Sequence, residues 1–199
     1  SDTTSNTALD EQQRDMMTSV FKSQIPAMEK SDFLVMFEPV GATAQPIVIT
    51  QNEFMRRMKD MAAIQSGMAF YGELPDSYNL IVNTDHPLSQ KVIADTESAC
   101  KSELTPILDE LKTVNEEIER LQEAKKDKKD DEIPVADKEA LKHAEEKAKE
   151  LRAKESDILK TYADRTPLVR QLVDLALLSN NMLKGEALSK FIKRSVEML

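Results

Sequence analysis

Apolar residues recur along this chain in several rhythms, each predicting a different element. Near the start, Met16, Met17, Val20 and Phe21 follow a helical spacing. Asp10 with Gln13 three residues on forms a capping box, and Pro26 closes the helix. The runs Phe33–Phe37 and Ile47–Ile49, set apart by Pro39, Gly41 and Pro46, predict two strands around a turn. Thr50 and Glu53 make a second capping box, leading into a helix with Phe54, Met58 and Met61 on one face. Arg56, Arg57, Lys59 and Asp60 fill its other face. Beyond Gln65–Gly67 no period is clear, so Met68, Phe70 and Tyr71 are expected in a mobile loop. Tyr78–Asn83 predicts a third strand, and an Asp85 cap with nearby Pro87 starts a helix through Val92, Ile93 and Ala99.

From Thr105 the style changes. Thr105–Pro106 reads as a cap with a first-turn proline, and Leu104, Ile107, Leu111, Val114, Ile118 and Leu121 alternate spacings of three and four. A charged run, Lys125 to Glu132, and Pro134 interrupt this seam. It resumes in Leu141, Ala144, Ala148, Leu151, Ile158 and Tyr162, with polar Glu155 inside it. Two seams joined by a short polar turn predict an antiparallel coiled-coil hairpin. Thr166–Pro167 then starts a helix apolar on more than one face, and after Asn180, Asn181 and Gly185 a last helix carries Leu188, Phe191, Ile192, Val196 and Leu199. Two such helices are half of a four-helix bundle, which a second copy would complete. The expected fold is α+β: a small sheet of about three strands packed with helices over 1–104, the inserted hairpin over 105–163, and a C-terminal two-helix dimerisation unit over 164–199.

Composition narrows the function. The chain is 40% hydrophobic and 32% charged, with no Trp, which suits a normally folded, helix-rich protein. No window holds the roughly 18 apolar residues that a membrane span needs. A net charge of -9 repels phosphates, so no nucleic acid is expected among its partners. With Cys100 the lone cysteine, no internal disulfide can form, and a cytoplasmic location is expected. The polar opening, Ser1 to Ala8, lacks the layout of a secretion signal and lacks an initial Met, which suggests a piece of something longer.

Several blocks, taken in order, resemble the C-terminal domain of the heat shock protein 90 family of chaperones. Gln45–Thr50 looks like the family's strand leading to an amphipathic helix, and Glu53–Met61 is similar to that helix. Tyr78–Asn83 followed by Thr84–Leu88 resembles the strand and its Asn-Pro-Asp-His signature, with Thr84 where the family usually has Pro. Leu168–Ser179 resembles the first dimerisation helix, where an Ala-Leu-Leu segment is typical. The hairpin of about 105 to 163 has no counterpart in most members and reads as an insertion. The resemblance implies a homodimer that binds partly unfolded client proteins. It implies no catalysis and no cofactor in this segment, with ATP and magnesium held by an N-terminal part. The ending Val196–Leu199, without a Met-Glu-Glu-Val-Asp tail, implies the bacterial type.

On this reading Phe54, Met55, Met58, Met61, Met68, Phe70 and Tyr71 form an adaptable client-contacting surface, although their spacing alone fits ordinary core packing. Leu168, Leu172, Leu175, Leu178, Leu188, Phe191, Ile192 and Val196 form the dimer interface, since exposing them all would leave a larger patch than monomers tolerate. His86 and His143 lie on different elements without metal-ligand spacing, and His86 is expected to cap or pack near a helix start. Two rival readings are a coiled-coil scaffold acting through Leu104–Tyr162 and, more remotely, a small hydrolase using Cys100 and His86.

Overall fold

The computed structural model describes residues 8–199, so nearly all of the polar opening segment lies outside the described residues. The chain divides into two compact units. One holds the residues up to Thr96 together with Ala163–Leu199, and the other holds Glu97–Tyr162.

The first unit begins with α1 (Glu11–Gln24), started by the expected capping box: the Asp10 carboxylate accepts from the Gln13 amide at 2.7 Å, and the Gln13 side chain accepts from the Asp10 amide at 3.0 Å. Its Met16, Met17, Val20 and Phe21 are all buried. Strands β1 (Ser31–Glu38), β2 (Ile47–Gln51) and β3 (Asp76–Asn83) make one mixed sheet in the order β1-β3-β2. β1 and β2 flank a turn in sequence, yet they are not neighbours. β3 lies between them, parallel to β1 with Ser31 opposite Asp76, and antiparallel to β2 with Ile47 opposite Val82. A parallel pair needs a crossover, and here the stretch from β2 through α2 and α3 lies within it. Val35, Ile47, Ile49, Leu80 and Val82 are the buried apolar residues of the strands. Helix α1 packs on β1, with Phe21 edge-on to Phe37 at 6.3 Å, and on α6 (Pro167–Ser179), which also packs against β2.

Four local expectations are corrected. Helix α2 (Glu53–Ala62) is capped by Asn52, whose side-chain oxygen accepts from the Met55 amide at 3.1 Å, and not by Thr50. Thr50 is held in the β2 ladder opposite Asn79. The segment expected as a loop is instead a 3-10 turn (Ser66–Met68) followed by α3 (Ala69–Glu73), which packs on α2. At α4 (Pro87–Lys125) Asp85 is not the cap, because its carboxylate accepts from the Gly41 amide at 2.9 Å. His86 takes that role, its Nδ1 accepting from the Leu88 amide at 3.0 Å. Finally, no helix starts at Thr105. Helix α4 continues through Pro106, and the Thr105 hydroxyl donates back to the Lys101 carbonyl at 2.7 Å. Pro106 forfeits one ladder bond, to the Ser102 carbonyl, but many bonds on either side carry the helix past it.

In the second unit, α4 and α5 (Val135–Asp164) are joined through a turn and the 3-10 segment Asp130–Glu132. Leu104 and Leu121 from the first seam are buried, as are Leu141, Ala144, Ala148 and Leu151 from the second. The remaining seam residues are half-buried. Lys147 pairs with Glu110 at 3.2 Å, and Arg152 reaches Asn115 at 3.4 Å.

Asn83, at the end of β3, organises the loop that carries the chain from β1 to β2. Its amide nitrogen donates to the carbonyls of Gly41 and Gln45 at 2.8 and 3.1 Å. Its oxygen accepts from the amides of Val40 and Asp85 at 3.0 and 3.1 Å. Because the residue is fully buried, Asn83→Ala leaves these backbone groups without their partner. It should lower stability by about 3 kcal/mol in urea unfolding, on a scale of 1–3 kcal/mol for each unsatisfied buried group.

Candidate functional site

The last two helices make a hairpin with unequal halves. Helix α6 turns Val169, Leu172, Val173, Ala176 and Leu177 into the core. Its partner α7 (Gly185–Glu197) has no buried residue at all. The turn between them needs a left-handed backbone at Asn181 and Gly185, with φ of 56° and 59°, which a side chain other than that of Asn or Gly adopts at a cost.

Polar contacts fasten α7 to α6. The Arg194 guanidinium donates to a carboxylate oxygen of Asp174 and, at 3.1 Å, to Gln171 Oε1. The Gln171 amide donates to the Ser195 hydroxyl and, at 3.4 Å, to the Phe191 carbonyl. Asp174 is buried in the middle of an otherwise apolar stretch of α6, and its other oxygen, Oδ1, finds no partner. Burial raises the Asp174 carboxyl above its ordinary value of 3.8, and the nearby Arg194 and Arg170 guanidinium groups offset only part of that rise.

With the helix fastened this way, its apolar side chains remain outside. Ile192 is 54% and Val196 66% exposed, and on α6 Leu175 and Leu178 are exposed as well. Leu168, Leu188 and Phe191 are half-buried. Seven of the eight expected interface residues therefore lie wholly or partly at the surface. Leu172 does not: it sits in the core of its own chain, 5% exposed.

A second apolar surface forms on α2 and α3. Phe54 and Phe70 are 66% and 68% exposed, Met61 is exposed, and Met55, Met58, Met68 and Tyr71 are half-buried. Phe70 and Tyr71 meet edge to face at 5.8 Å. The structure brings the expected residues together because α3 packs back on α2. Ile64, the most exposed of the large hydrophobic groups here, joins them; it stands three residues after Met61, so the helical spacing of the stripe extends to it although α2 ends at Ala62. Lys59 anchors α2 to the sheet through Asp76 at 2.8 Å, leaving the apolar groups free of that duty.

The hydrolase pairing gains no geometry. Cys100 is buried, and the His86 ring caps a helix start. Among the described residues no group of three or more His, Cys, Asp or Glu side chains could hold a metal ion, and no described helix is long and apolar enough to cross a membrane.

Comparison with known proteins gives a consistent set of relatives. The chain is 46% identical over 98% of its length to the chaperone protein HtpG of Bacteroides thetaiotaomicron. It is 47% identical over 96% of its length to that of Bacteroides fragilis (strain 638R), and 44% identical over 96% to that of Porphyromonas gingivalis (strain ATCC 33277). The matches run through residues 105–163, so these relatives have that hairpin too. The chain spans 28% of the length of each of these relatives and corresponds to their C-terminal part. No family model and no solved structure matches it.

The Asp174 site predicts a direction in pH. A carboxyl whose folded value lies above its unfolded one binds a proton more readily when folded, so it costs stability above the folded value and regains it as pH falls toward 3.8. Urea unfolding should show wild type gaining on Asp174→Asn as pH is lowered from 7 to 4. Arg194→Ala, which strips a buried carboxylate of its main cation, should cost about 3 kcal/mol at pH 7.

Proposed function

Since this chain belongs with the C-terminal part of the HtpG chaperones, of the heat shock protein 90 family, we propose that it joins two copies of a chaperone and offers them an apolar surface for partly unfolded proteins. The observation that carries the reading is the uncovered apolar face of α6 and α7, with Leu175, Leu178, Ile192 and Val196 exposed. Water disfavours such a face by roughly 25 cal/mol for each Å² left bare, and a second copy laid on it removes the exposure. Pairing has a mechanical consequence. It raises the effective concentration of each attached arm for the other, so ATP-driven contacts made elsewhere in the chaperone form and release around a client. The work of this segment is assembly and grip, with no bond made or broken and no cofactor held.

The α2–α3 surface supplies the grip. Phe54, Met61 and Phe70 project from a helix pair held down by other residues, and thioether side chains repack around varied apolar partners. A cytoplasmic setting accords with Cys100 being the lone cysteine, which leaves no internal disulfide to form.

Sedimentation equilibrium tests assembly. The wild type should be a dimer, and Ile192→Asp with Val196→Asp should raise its Kd at least 100-fold; a wild type that stays monomeric at every concentration would sink the reading. Replacing residues 97–162 by a short Gly/Ser linker should leave the dimer intact, whereas its loss would move assembly to the helical pair and favour a scaffold. For the grip, Phe54→Ser with Met61→Glu should halve, or more, the suppression of aggregation of an unfolded test protein, with the dimer unchanged.

A further inference from the structure

Oxidisable sulfur gathers on one surface of this chain. Four of its ten methionines, Met55, Met58, Met61 and Met68, fall on α2 and on the turn into α3. Met61 is 42% exposed and the other three are half-buried, whereas Met17 in the core is wholly covered. A small oxidant therefore meets the thioethers of this surface and is kept from that of Met17. The helix that carries most of them is tied down by other groups. Arg56 pairs with Glu53 at 2.8 Å and with Asp60 at 3.2 Å, and Lys59 reaches Asp76 at 2.8 Å. No residue of α2 is buried, so a polar atom added to a methionine there does not enter a closed core.

We propose that Met61, with Met55, Met58 and Met68 beside it, is a modification site at which a two-electron oxidant of the peroxide class turns the α2–α3 surface from apolar to polar, and from which the change can be reversed. This rests on the grip reading above and adds to it a means of regulation. With hydrogen peroxide, the thioether sulfur attacks one peroxide oxygen. An S–O bond forms as the O–O bond breaks, the sulfur gives up two electrons, and the proton of the transferred hydroxyl passes to the departing hydroxide, which leaves as water. The product is a methionine sulfoxide, whose oxygen accepts hydrogen bonds from water. Covering it with an apolar client strips that water away and leaves a polar group without a partner, so the surface loses its hold. Four sulfurs on one surface make the loss graded, one oxygen at a time. Sulfoxide reductases reverse it: two thiols become a disulfide and the oxygen leaves as water. The ionic ties of α2 contain no sulfur, which lets the grip be lost while the helix stays in place.

The test treats the whole chain with hydrogen peroxide, destroys the excess with catalase, and then measures suppression of aggregation of an unfolded test protein. Peptide mass spectrometry should find Met61 oxidised at least about five-fold faster than Met17, and suppression should fall at least about three-fold. Methionine sulfoxide reductases A and B with dithiothreitol should restore it, whereas dithiothreitol alone, which returns a sulfenic acid or disulfide at Cys100 to the thiol, should not. A chain with Met55→Leu, Met58→Leu, Met61→Leu and Met68→Leu keeps the surface apolar and should hold the test protein equally well before and after peroxide. Met198, exposed near the C-terminus, oxidises in both chains, so any effect it has appears in both. Met61→Leu alone, which covers the case of a fourfold variant that folds poorly, should lose less than about two-fold. Equal loss in the wild type and the leucine chains overturns the proposal, as does Met61 reacting no faster than Met17, or a fall in the far-UV helical signal on oxidation; each leaves the grip reading standing. A wild type that suppresses no aggregation before oxidation overturns the grip reading, and this proposal with it.

Discussion

A charge pair, and not an apolar core, holds the last helix in place, and the character of the whole C-terminal face follows from it. Had α7 been fastened by burying Ile192 and Val196, those groups would be spent inside one chain. Instead Arg194 reaches a buried carboxylate while Gln171 and Ser195 complete the contact. The helix is thus oriented by polar groups on its inner side, with Leu188 and Phe191 half-buried, and keeps Ile192 and Val196 on the outer one. Burying Asp174 carries a desolvation cost that its partners only partly offset, so the pair contributes more to specificity than to stability: it fixes which side of α7 faces inward.

Much of the fold was legible in the sequence, because local rules and tertiary structure agree wherever one residue has one evident job. Asp10 and Gln13 stand three residues apart and bind each other's backbone, and their capping box forms as read. The misreadings occur where a residue is claimed from far away. Asp85 is well placed to cap α4, but the Gly41 amide, 44 residues earlier, takes its carboxylate, and His86 supplies the cap. Thr50 is drawn into the β2 ladder, leaving Asn52 to begin α2. The order β1-β3-β2 was equally hidden, since a turn between two strands does not reveal that a third will enter between them. Pro106 misled in another way: a proline after a threonine marks a helix start only where no earlier helix has momentum to pass it.

Which leucines of α6 reach the surface was legible as a set and not one by one. A helix apolar on several faces must send some leucines inward, and periodicity gives no absolute phase. Leu172 and Leu175 differ by three positions, yet the first belongs to the core and the second to the surface. The phase was written in Asp174, the acidic residue inside the apolar stretch. A charge that finds its partner on α7 marks the side of α6 toward that helix, and the exposed strip begins beside it.

The two apolar surfaces also differ in side-chain chemistry, and the difference bears on what each is for. The α6–α7 face presents Leu, Ile and Val, whose branching limits them to few rotamers. Ordering them against a partner costs little entropy, provided the partner always has the same shape. The α2–α3 surface presents Met55, Met58, Met61 and Met68 among aromatic rings. An unbranched thioether has three freely turning bonds and loses more entropy when fixed, but it conforms to many outlines. Stiff groups suit a single recurring partner such as an identical chain, and pliant groups suit partners that never repeat. On the function proposed above, the branching of its side chains separates a permanent contact from a promiscuous one.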